Sequence, residues 1–433
     1  MQTTSVIPYL FLFTALPSSA FDLKQAWQAA QAHSADYAAA KYARDAEIEQ
    51  QYQARSALLP QIGLTGQYQK QPASLSTNTN SYGWALQVDQ VLYDPVRQLR
   101  YKQGKLAAHS ADMKLKQIRN ELLLSTAQAY FDVLLNKDKL VSIRDEKNAH
   151  KQQLVQAKAM FDRGAATVVD IYEAKAGFDA ALAKEIVTKT DLILAENKLT
   201  DLTGLDASKV RPIKMRQQPF ASDIRQERNW QALAEQYNPE WIRQNLELEN
   251  AKAASKAAKS GRLPKLNFNA GYQSRHNTQD YYGRETHYRS KGGSFGIQLN
   301  IPLYTGGQTA SQIREAVARE MQNKEQMVAI DRKIRLSVKQ AYQNVRSNYY
   351  RFMAQQRLLD SEKSKLAATI LGKKVGVRSN LEEVRARQAY SEAEQQLAEA
   401  QYTYILSYVQ LLQRAGILDN EIQMKRVNDA LFW

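Results

Sequence analysis

Histidines and carboxylates are the residues of this sequence that could bind a metal or transfer protons. The five histidines lie too far apart along the 433-residue chain for a metal-ligand motif: His33, His109, His150, His276 and His287. His276 and His287 share one segment with Asp280 and Glu285. The ordinary composition of a polar loop explains these four residues better than a metal site does. We therefore predict no metal and no cofactor.

Nucleophile and phosphate motifs lead to the same conclusion. Gly63 and Gly66 lie in an alternating, strand-like segment, so they do not form a phosphate-binding loop. No Ser/His/Asp or paired-carboxylate arrangement can be built from the sequence, which predicts that the chain is not an enzyme. The net charge is +15, but Lys and Arg are mixed with acids along the chain. That mixture favours a solvated helical surface over a nucleic-acid-binding face.

The N-terminus has the pattern of an export signal. An apolar core from Val6 to Leu16 is followed by small residues ending at Ala20, which predicts a signal peptide over residues 1–20. The segment Met1–Ser5 departs from the pattern because it has no basic residue. The chain contains no cysteine, so we expect neither disulfides nor a lipid anchor.

Four segments alternate between apolar and polar side chains with the period of a β-strand. In the clearest of them the apolar residues are Phe295, Ile297, Leu299, Ile301 and Leu303. The four segments predict two hairpins, at about 61–93 and about 265–303. We expect polar loops within them, over roughly Lys70–Ser81 and Ser274–Gly293.

The stretches that follow the hairpins lack proline and are rich in Ala, Gln, Glu, Lys and Arg, which predicts very long helices. One narrow apolar stripe resembles a coiled-coil seam and consists of Leu115, Ile118, Leu122, Ala129 and Val133. Two interruptions, at Phe161–Thr167 and Val375–Arg378, predict turns between antiparallel helices.

The two halves of the chain repeat the same order of elements. Gly376 minus Gly164 and Gly416 minus Gly204 both give 212, which predicts a tandem duplication. The predicted segments are a first repeat (21–210, tip near 161–170), a linker (211–228), a second repeat (229–420, tip near 372–382) and a C-terminal tail (421–433).

Four amphipathic strands of about ten residues have the length of membrane-spanning β-strands. Four strands are too few to close a barrel, because about eight are needed merely to enclose side chains. Two arrangements remain open at this point: the hairpins pair in a soluble sandwich, or several chains combine their strands into one barrel.

The strand ends Leu92–Pro95 and Pro302–Gly307, the helical turns and the repeated layout resemble the TolC family of outer-membrane efflux and type I secretion proteins. The resemblance implies a mainly α, mixed α/β membrane protein. It implies a homotrimer whose 12-stranded outer-membrane barrel continues into a periplasmic α-helical barrel. Such a protein is a passive exit duct that works with a periplasmic membrane-fusion adaptor and an inner-membrane pump.

The resemblance also assigns roles to residues near the two helical turns. It implies an adaptor-docking tip at Arg163, Gly164, Ala165, Val375, Gly376 and Val377. It implies a gate latch between Asp170 and Arg378 and a constriction at Glu382, Glu383 and Arg385. Two positions depart from the family pattern: Lys373 replaces a tyrosine of the latch, and Arg385 replaces an acid, for which Glu383 could compensate.

A soluble periplasmic coiled-coil scaffold without transport activity is the alternative. It shares the long helices but requires no outer-membrane location, and the apolar face of all four strands argues against it. The sequence carries no signal that identifies the transported cargo.

Overall fold

The structure is a computed structural model, and it describes residues 20–71, 77–213, 220, 227–281 and 284–432. Within these ranges the chain is mainly helical with four strands, as the sequence predicts, and the strands form one sheet. The predicted signal peptide lies outside the described residues except for Ala20, and so does much of the predicted linker 211–228.

The two longest helices have 67 residues each. In the described ranges, no helix combines the length and the hydrophobicity that crossing a bilayer requires. The helices are α1 (Leu23–His33), α2 (Ala35–Ser56), α3 (Pro95–Phe161), α4 (Val168–Thr203), α5 (Glu227–Tyr237), α6 (Pro239–Ser260), α7 (Gln308–Lys374), α8 (Asn380–Arg414) and α9 (Glu421–Leu431).

The sheet is antiparallel throughout and has the strand order β1–β2–β3–β4. The pairing of β2 with β3 joins the two hairpins into a single sheet. Strands β1 and β4 therefore form its two edges. The strands are β1 (Gln61–Gln71), β2 (Thr77–Tyr93), β3 (Lys265–Tyr281) and β4 (Arg284–Asn300).

The polar loops expected at Lys70–Ser81 and Ser274–Gly293 are wrong in extent. The β3–β4 ladder continues without interruption to the pair formed by Tyr281 and Arg284. Likewise, β1 and β2 pair as far as Gln71 and Thr79. The outer parts of these strands are polar on both faces, so they lack the apolar alternation by which a strand is identified from sequence.

The junction between β2 and α3 is fixed by the buried carboxylate of Asp94. Its Oδ1 accepts hydrogen bonds from the backbone N–H groups of Val96 (2.9 Å) and Arg97 (3.3 Å), which caps the helix. Pro95 follows in the first helical position, where its missing N–H costs nothing. Oδ2 lies 3.6 Å from Arg97 Nε and 4.0 Å from Lys265 Nζ. One side chain thus connects α3 with the start of β3.

The chain divides into two compact units. One unit consists of Ala38–Ile118 and Ala234–Leu336 and holds the sheet with the helical segments that adjoin it. Its helices are joined by polar contacts, among them Gln103 Nε2 with Asn250 Oδ1 (3.1 Å) and Lys333 Nζ with Glu240 Oε1 (2.7 Å).

The other unit consists of Met1–Tyr37, Arg119–Leu233 and Ser337–Trp433. Its core contains the fully buried Trp27, whose Nε1–H donates to the Leu123 carbonyl at 2.7 Å. Tyr408 stacks on Phe220 at a centroid distance of 3.9 Å.

Two local features differ from the sequence interpretation. The composition of Phe21–Leu59, rich in Ala, Gln and charged residues and without Gly or Pro, predicts one continuous helix. The structure interrupts it at Ser34, between α1 and α2. The segment described as a C-terminal tail contains α9, whose Asn428 Oδ1 accepts from Lys24 N at 3.1 Å. Helix α9 is therefore packed against α1.

We expect Asp94→Ala to weaken the start of α3 by about 1–2 kcal/mol, because the substitution removes the cap and leaves two cations without their carboxylate. Hydrogen exchange of the backbone N–H groups of residues 96–98 measures this loss. The matched variant Asp94→Asn keeps an acceptor oxygen and should retain most of the protection. Equal protection in the Ala variant and the unmodified protein would contradict the capping role.

Candidate functional site

The turn between α3 and α4 ends the first helix with a glycine in the left-handed conformation, Gly164 (φ +72°). Its N–H donates to the Phe161 carbonyl at 2.9 Å, and the N–H of Ala165 donates to the Met160 carbonyl at 2.8 Å. This pair of bonds is the Schellman motif, in which a residue without Cβ strain ends the helix.

The turn between α7 and α8 has the same construction around Gly376 (φ +82°). Its N–H donates to the Lys373 carbonyl at 3.1 Å, and the N–H of Val377 donates to the Gly372 carbonyl at 2.9 Å. The side chains of Val375 and Val377 are exposed beside this glycine. The second turn therefore presents apolar groups to its surroundings.

Both turns lead into a helix that begins with a capping box. Thr167 and Asp170 bond each other's backbone N–H groups at the start of α4, and Ser379 and Glu382 do so at the start of α8. Thr167 and Ser379 were not among the residues predicted from the sequence. The signal that would have found them is a Ser or Thr followed three residues later by an acid.

The two turns match position by position. Gly376 minus Gly164, Ser379 minus Thr167, and Glu382 minus Asp170 each give 212. Each turn thus consists of a left-handed glycine, a hydroxyl cap three residues later and a carboxylate after three more. The local sequence thus ends α3 and α7 and starts α4 and α8 at these turns.

The proposed latch residues each have a local partner within the chain. Asp170 Oδ2 accepts from the Thr167 backbone N–H (2.7 Å) and hydroxyl (2.8 Å), and these bonds lower the pKa of Asp170. Arg378 Nη1 donates to Glu382 Oε1 at 2.6 Å. The stem of Arg378 lies over Gly372, where an added Cβ would be 2.7 Å from Arg378 Cγ.

The three predicted constriction residues are in different environments. Glu382 is held at the helix start by Ser379, and this backbone bond, followed by the contact with Arg378, lowers its pKa. Glu383 is largely buried between Lys373 Nζ (2.6 Å) and Arg387 Nη2 (2.7 Å). Burial raises the pKa of Glu383, but the two cations together hold it below its ordinary value. The side chain of Arg385 is exposed.

Lys373, which departs from the family pattern, therefore has a structural role in this chain. It links the end of α7 to the start of α8 through Glu383. Two cations of the same chain, Lys373 and Arg387, already neutralise the charge of Glu383. The sequence suggested that Glu383 could supply the acidic group that Arg385 replaces. To do so, Glu383 would have to give up its contacts with Lys373 and Arg387.

A solvent-open groove of about 490 Å³ lies beside the ion pairs of Glu383, between α3 and the adjoining ends of α7 and α8. His150 and Glu383 both line it. His150 is buried, its Nε2 is 3.3 Å from Gln388 Nε2, and its ring lies against Gly177 of α4, where an added Cβ would be 2.7 Å from Nδ1. The glycine therefore permits close packing of α4 on α3.

The same helices are joined further along by a buried carboxylate. Glu185 of α4 bonds Lys147, and it also lies 3.0 Å from Lys189 Nζ and 3.4 Å from Arg144 Nε. The hydrogen bond from Lys147, followed by that from Lys189, lowers the pKa of Glu185 to about 2. The α3–α4 hairpin is thus held by a charge cluster centred on one acid.

Comparison with known proteins identifies the family. The model of the outer membrane efflux protein family matches residues 26–205 and 230–416. The chain belongs to this family.

Two relatives and one solved structure illustrate the similarity. Outer membrane protein TolC of Vibrio cholerae is 30% identical, over 87% of this chain and 86% of the relative. The alkaline protease secretion protein AprF of Pseudomonas aeruginosa is 27% identical, over 86% of this chain and 80% of that protein. The crystal structure of the Campylobacter jejuni CmeC outer membrane channel has the same fold, with a TM-score of 0.77, 14% identity and coverage of 99% and 97%.

Family membership confirms the resemblance drawn from the sequence, the outer-membrane location with a periplasmic extension, and a transport function in place of an enzymatic one. An efflux protein of the outer membrane is not a soluble scaffold, so that alternative is set aside. The chain is an outer-membrane exit channel for efflux or type I secretion.

We expect Glu185→Gln to lower the thermal stability of the helical hairpin at pH 7, because three cations lose their common carboxylate. A carboxylate whose pKa is depressed stabilises the fold above its unfolded value of about 4.5 and loses that contribution as pH falls toward about 2. Melting followed by circular dichroism should therefore show the two proteins converging over that interval.

The matched control for this experiment is Glu173→Gln, a substitution at an exposed position of the same helix, which should melt like the unmodified protein at every pH. A constant difference between Glu185→Gln and the unmodified protein from pH 7 to pH 2 would contradict the charge mechanism.

Proposed function

We propose that three copies of this chain form the duct, each contributing four strands to a 12-stranded outer-membrane barrel. The observation that carries this proposal is the sheet, which has one exposed apolar face and two edge strands in a single chain. Phe295 is 87% exposed and Ile297 66% exposed on β4, and Ile62 and Leu64 are each 71% exposed on β1. Exposed apolar surface of this kind requires a lipid or protein environment.

The opposite face of the sheet supports a water-filled lumen. Its positions hold Gln and Asn amides, hydroxyls and glycines, for example Gln67, Ser81, Asn277 and Ser290. An apolar outer face and a polar inner face, alternating along each strand, are typical of outer-membrane barrels. Closure would come from pairing β1 of one copy with β4 of the next, because hydrocarbon tolerates no open edge.

We further propose that the four long helices α3, α4, α7 and α8 of each copy form the periplasmic tunnel, and that the two repeats arose by tandem duplication. The identical chemistry of the two turns at a spacing of 212 residues supports the second proposal. The tunnel would end at the turns, where Val375 and Val377 offer an exposed apolar surface to a periplasmic adaptor.

The docking surface on this proposal comprises Arg163, Gly164, Ala165, Val375, Gly376 and Val377. The latch joins Asp170 of one copy to Arg378 of its neighbour, and Glu382, Glu383 and Arg385 line the constriction behind it. Each charged pair contributes little, which suits a gate that adaptor and pump binding must open. Transport energy comes from the inner-membrane pump, and the duct itself is passive.

Single-channel conductance in a planar bilayer tests the duct and the latch together. The unmodified protein should show a small, mostly closed conductance. Arg378→Glu should raise it markedly, because like charges then face each other across the latch. Asp170→Asn should raise it as well, since the amide keeps an acceptor for Thr167 but carries no charge.

Arg163→Glu is the matched control, because it makes the same charge change at the other turn, outside the latch. It should leave the conductance close to that of the unmodified protein. Equal conductance in all four proteins would contradict the proposed latch but would remain consistent with the proposed duct. A protein that does not insert into the bilayer and is soluble without detergent would contradict the proposed duct itself.

A further inference from the structure

The register of the sheet arranges side chains in rows that cross all four strands on one face. Residues paired directly in an antiparallel ladder point to the same face. On the apolar face, one row consists of Ile62, Val88, Ala270 and Phe295, and the next consists of Leu64, Leu86, Tyr272 and Gly293. These rows form the apolar part of the face.

The same face becomes basic in the rows nearer the hairpin ends. The next three rows are Gly66, Trp84, Ser274 and Lys291; then Tyr68, Tyr82, His276 and Arg289; then Lys70, Asn80, Thr278 and His287. We call Lys70, His276, His287, Arg289 and Lys291 the basic band. Lys70 comes from the first hairpin and the other four residues come from the second, and the register places all five on one face.

The position of the basic band corresponds to the outer boundary of a bilayer. A tilted strand crosses the hydrocarbon in about 9–11 residues, whereas β3 and β4 have 17 residues each. Counted from Asn300, where the helix-connected end of β4 lies, Lys291 is the tenth residue. The strands therefore continue past the bilayer on the side opposite the periplasmic helices. Tyr68, Tyr82 and Trp84 lie at the boundary, where aromatic side chains concentrate.

The cations of the basic band are available to a ligand. Lys70, Arg289 and Lys291 are exposed, and no carboxylate among the described residues lies within ion-pair distance of them. His287 Nε2 lies 3.8 Å from Glu285 Oε2, so that histidine already faces an acid. His276 is held in place by Tyr82, on which its ring stacks at 4.9 Å with parallel planes (2°).

We propose that the basic band binds the phosphate groups of the anionic glycolipid that forms the outer leaflet of the outer membrane. This inference rests on the proposed assignment of the apolar face to lipid. A guanidinium binds phosphate through two parallel hydrogen bonds, and a lysine ammonium adds a point charge. In a trimer, three basic bands would encircle the barrel at the height of the headgroups, where they would neutralise lipid phosphates.

The opposite face of the same strand provides a control residue. Arg275 precedes His276 but pairs with Gly83 and Ser290 on the polar face, so it does not point toward lipid in the proposed barrel. An effect of charge alone would be the same for Arg275 and for the basic band. An effect of lipid contact would be confined to the basic band.

The test measures binding of bis-phosphorylated lipid A to the detergent-purified protein by native mass spectrometry. The double variant Arg289→Gln/Lys291→Gln should bind roughly 25-fold more weakly, at about fivefold for each charge removed. Arg275→Gln should bind as the unmodified protein does. Dephosphorylated lipid A should bind weakly to all three proteins.

Equal binding of phosphorylated lipid A by the double variant and the unmodified protein would overturn the proposal, and so would an equal loss in Arg275→Gln. Phosphatidylglycerol bound as tightly as lipid A would overturn the assignment to the glycolipid. Conductance of the same preparations separates the two levels of inference. If the protein conducts in the bilayer but does not bind lipid A, only the proposed role of the basic band is contradicted. If the protein never inserts into the bilayer, the proposed duct is contradicted.

Discussion

An unpaired backbone amide or carbonyl is too costly to leave in hydrocarbon, and this constraint governs the architecture of the chain. Among the residues that the structure describes, its sheet has four strands, and β1 and β4 each have a free edge. A protein of the outer membrane must pair those edges. The proposed trimer and the proposed pairing of β1 with β4 of the neighbouring copy both meet this requirement.

The two helical turns obey a different rule, because their geometry is set almost entirely within a few residues. A left-handed glycine ends one helix, and a hydroxyl and a carboxylate start the next, in both turns and at the same spacing. No distant contact is needed to bring the chain back on itself. A turn defined locally can move as a unit without losing its internal hydrogen bonds.

Features set by a few neighbouring residues could be predicted from the sequence, and features set by contacts between distant segments could not. Long helices, the four strands and both turns were predictable because apolar periodicity and glycine position report local conformation. The outer halves of the strands were missed, since Arg284–Lys291 is polar on both faces. The partners of Lys373 and Glu383 were also missed, because an ion pair between two helix ends has no periodic signal. The basic band depends on cross-strand register, which no single segment encodes.

Arg378 has a carboxylate of its own chain, Glu382, within 2.6 Å. In the proposed latch, its release from a carboxylate on another copy would therefore exchange one charged hydrogen bond for another of the same kind, and Asp170 would keep its bonds with Thr167. In such an exchange the number of bonds is conserved, and the energies of the two arrangements remain close. A gate built in this way is set by small biases, so that binding far from the charged groups is sufficient to tip it.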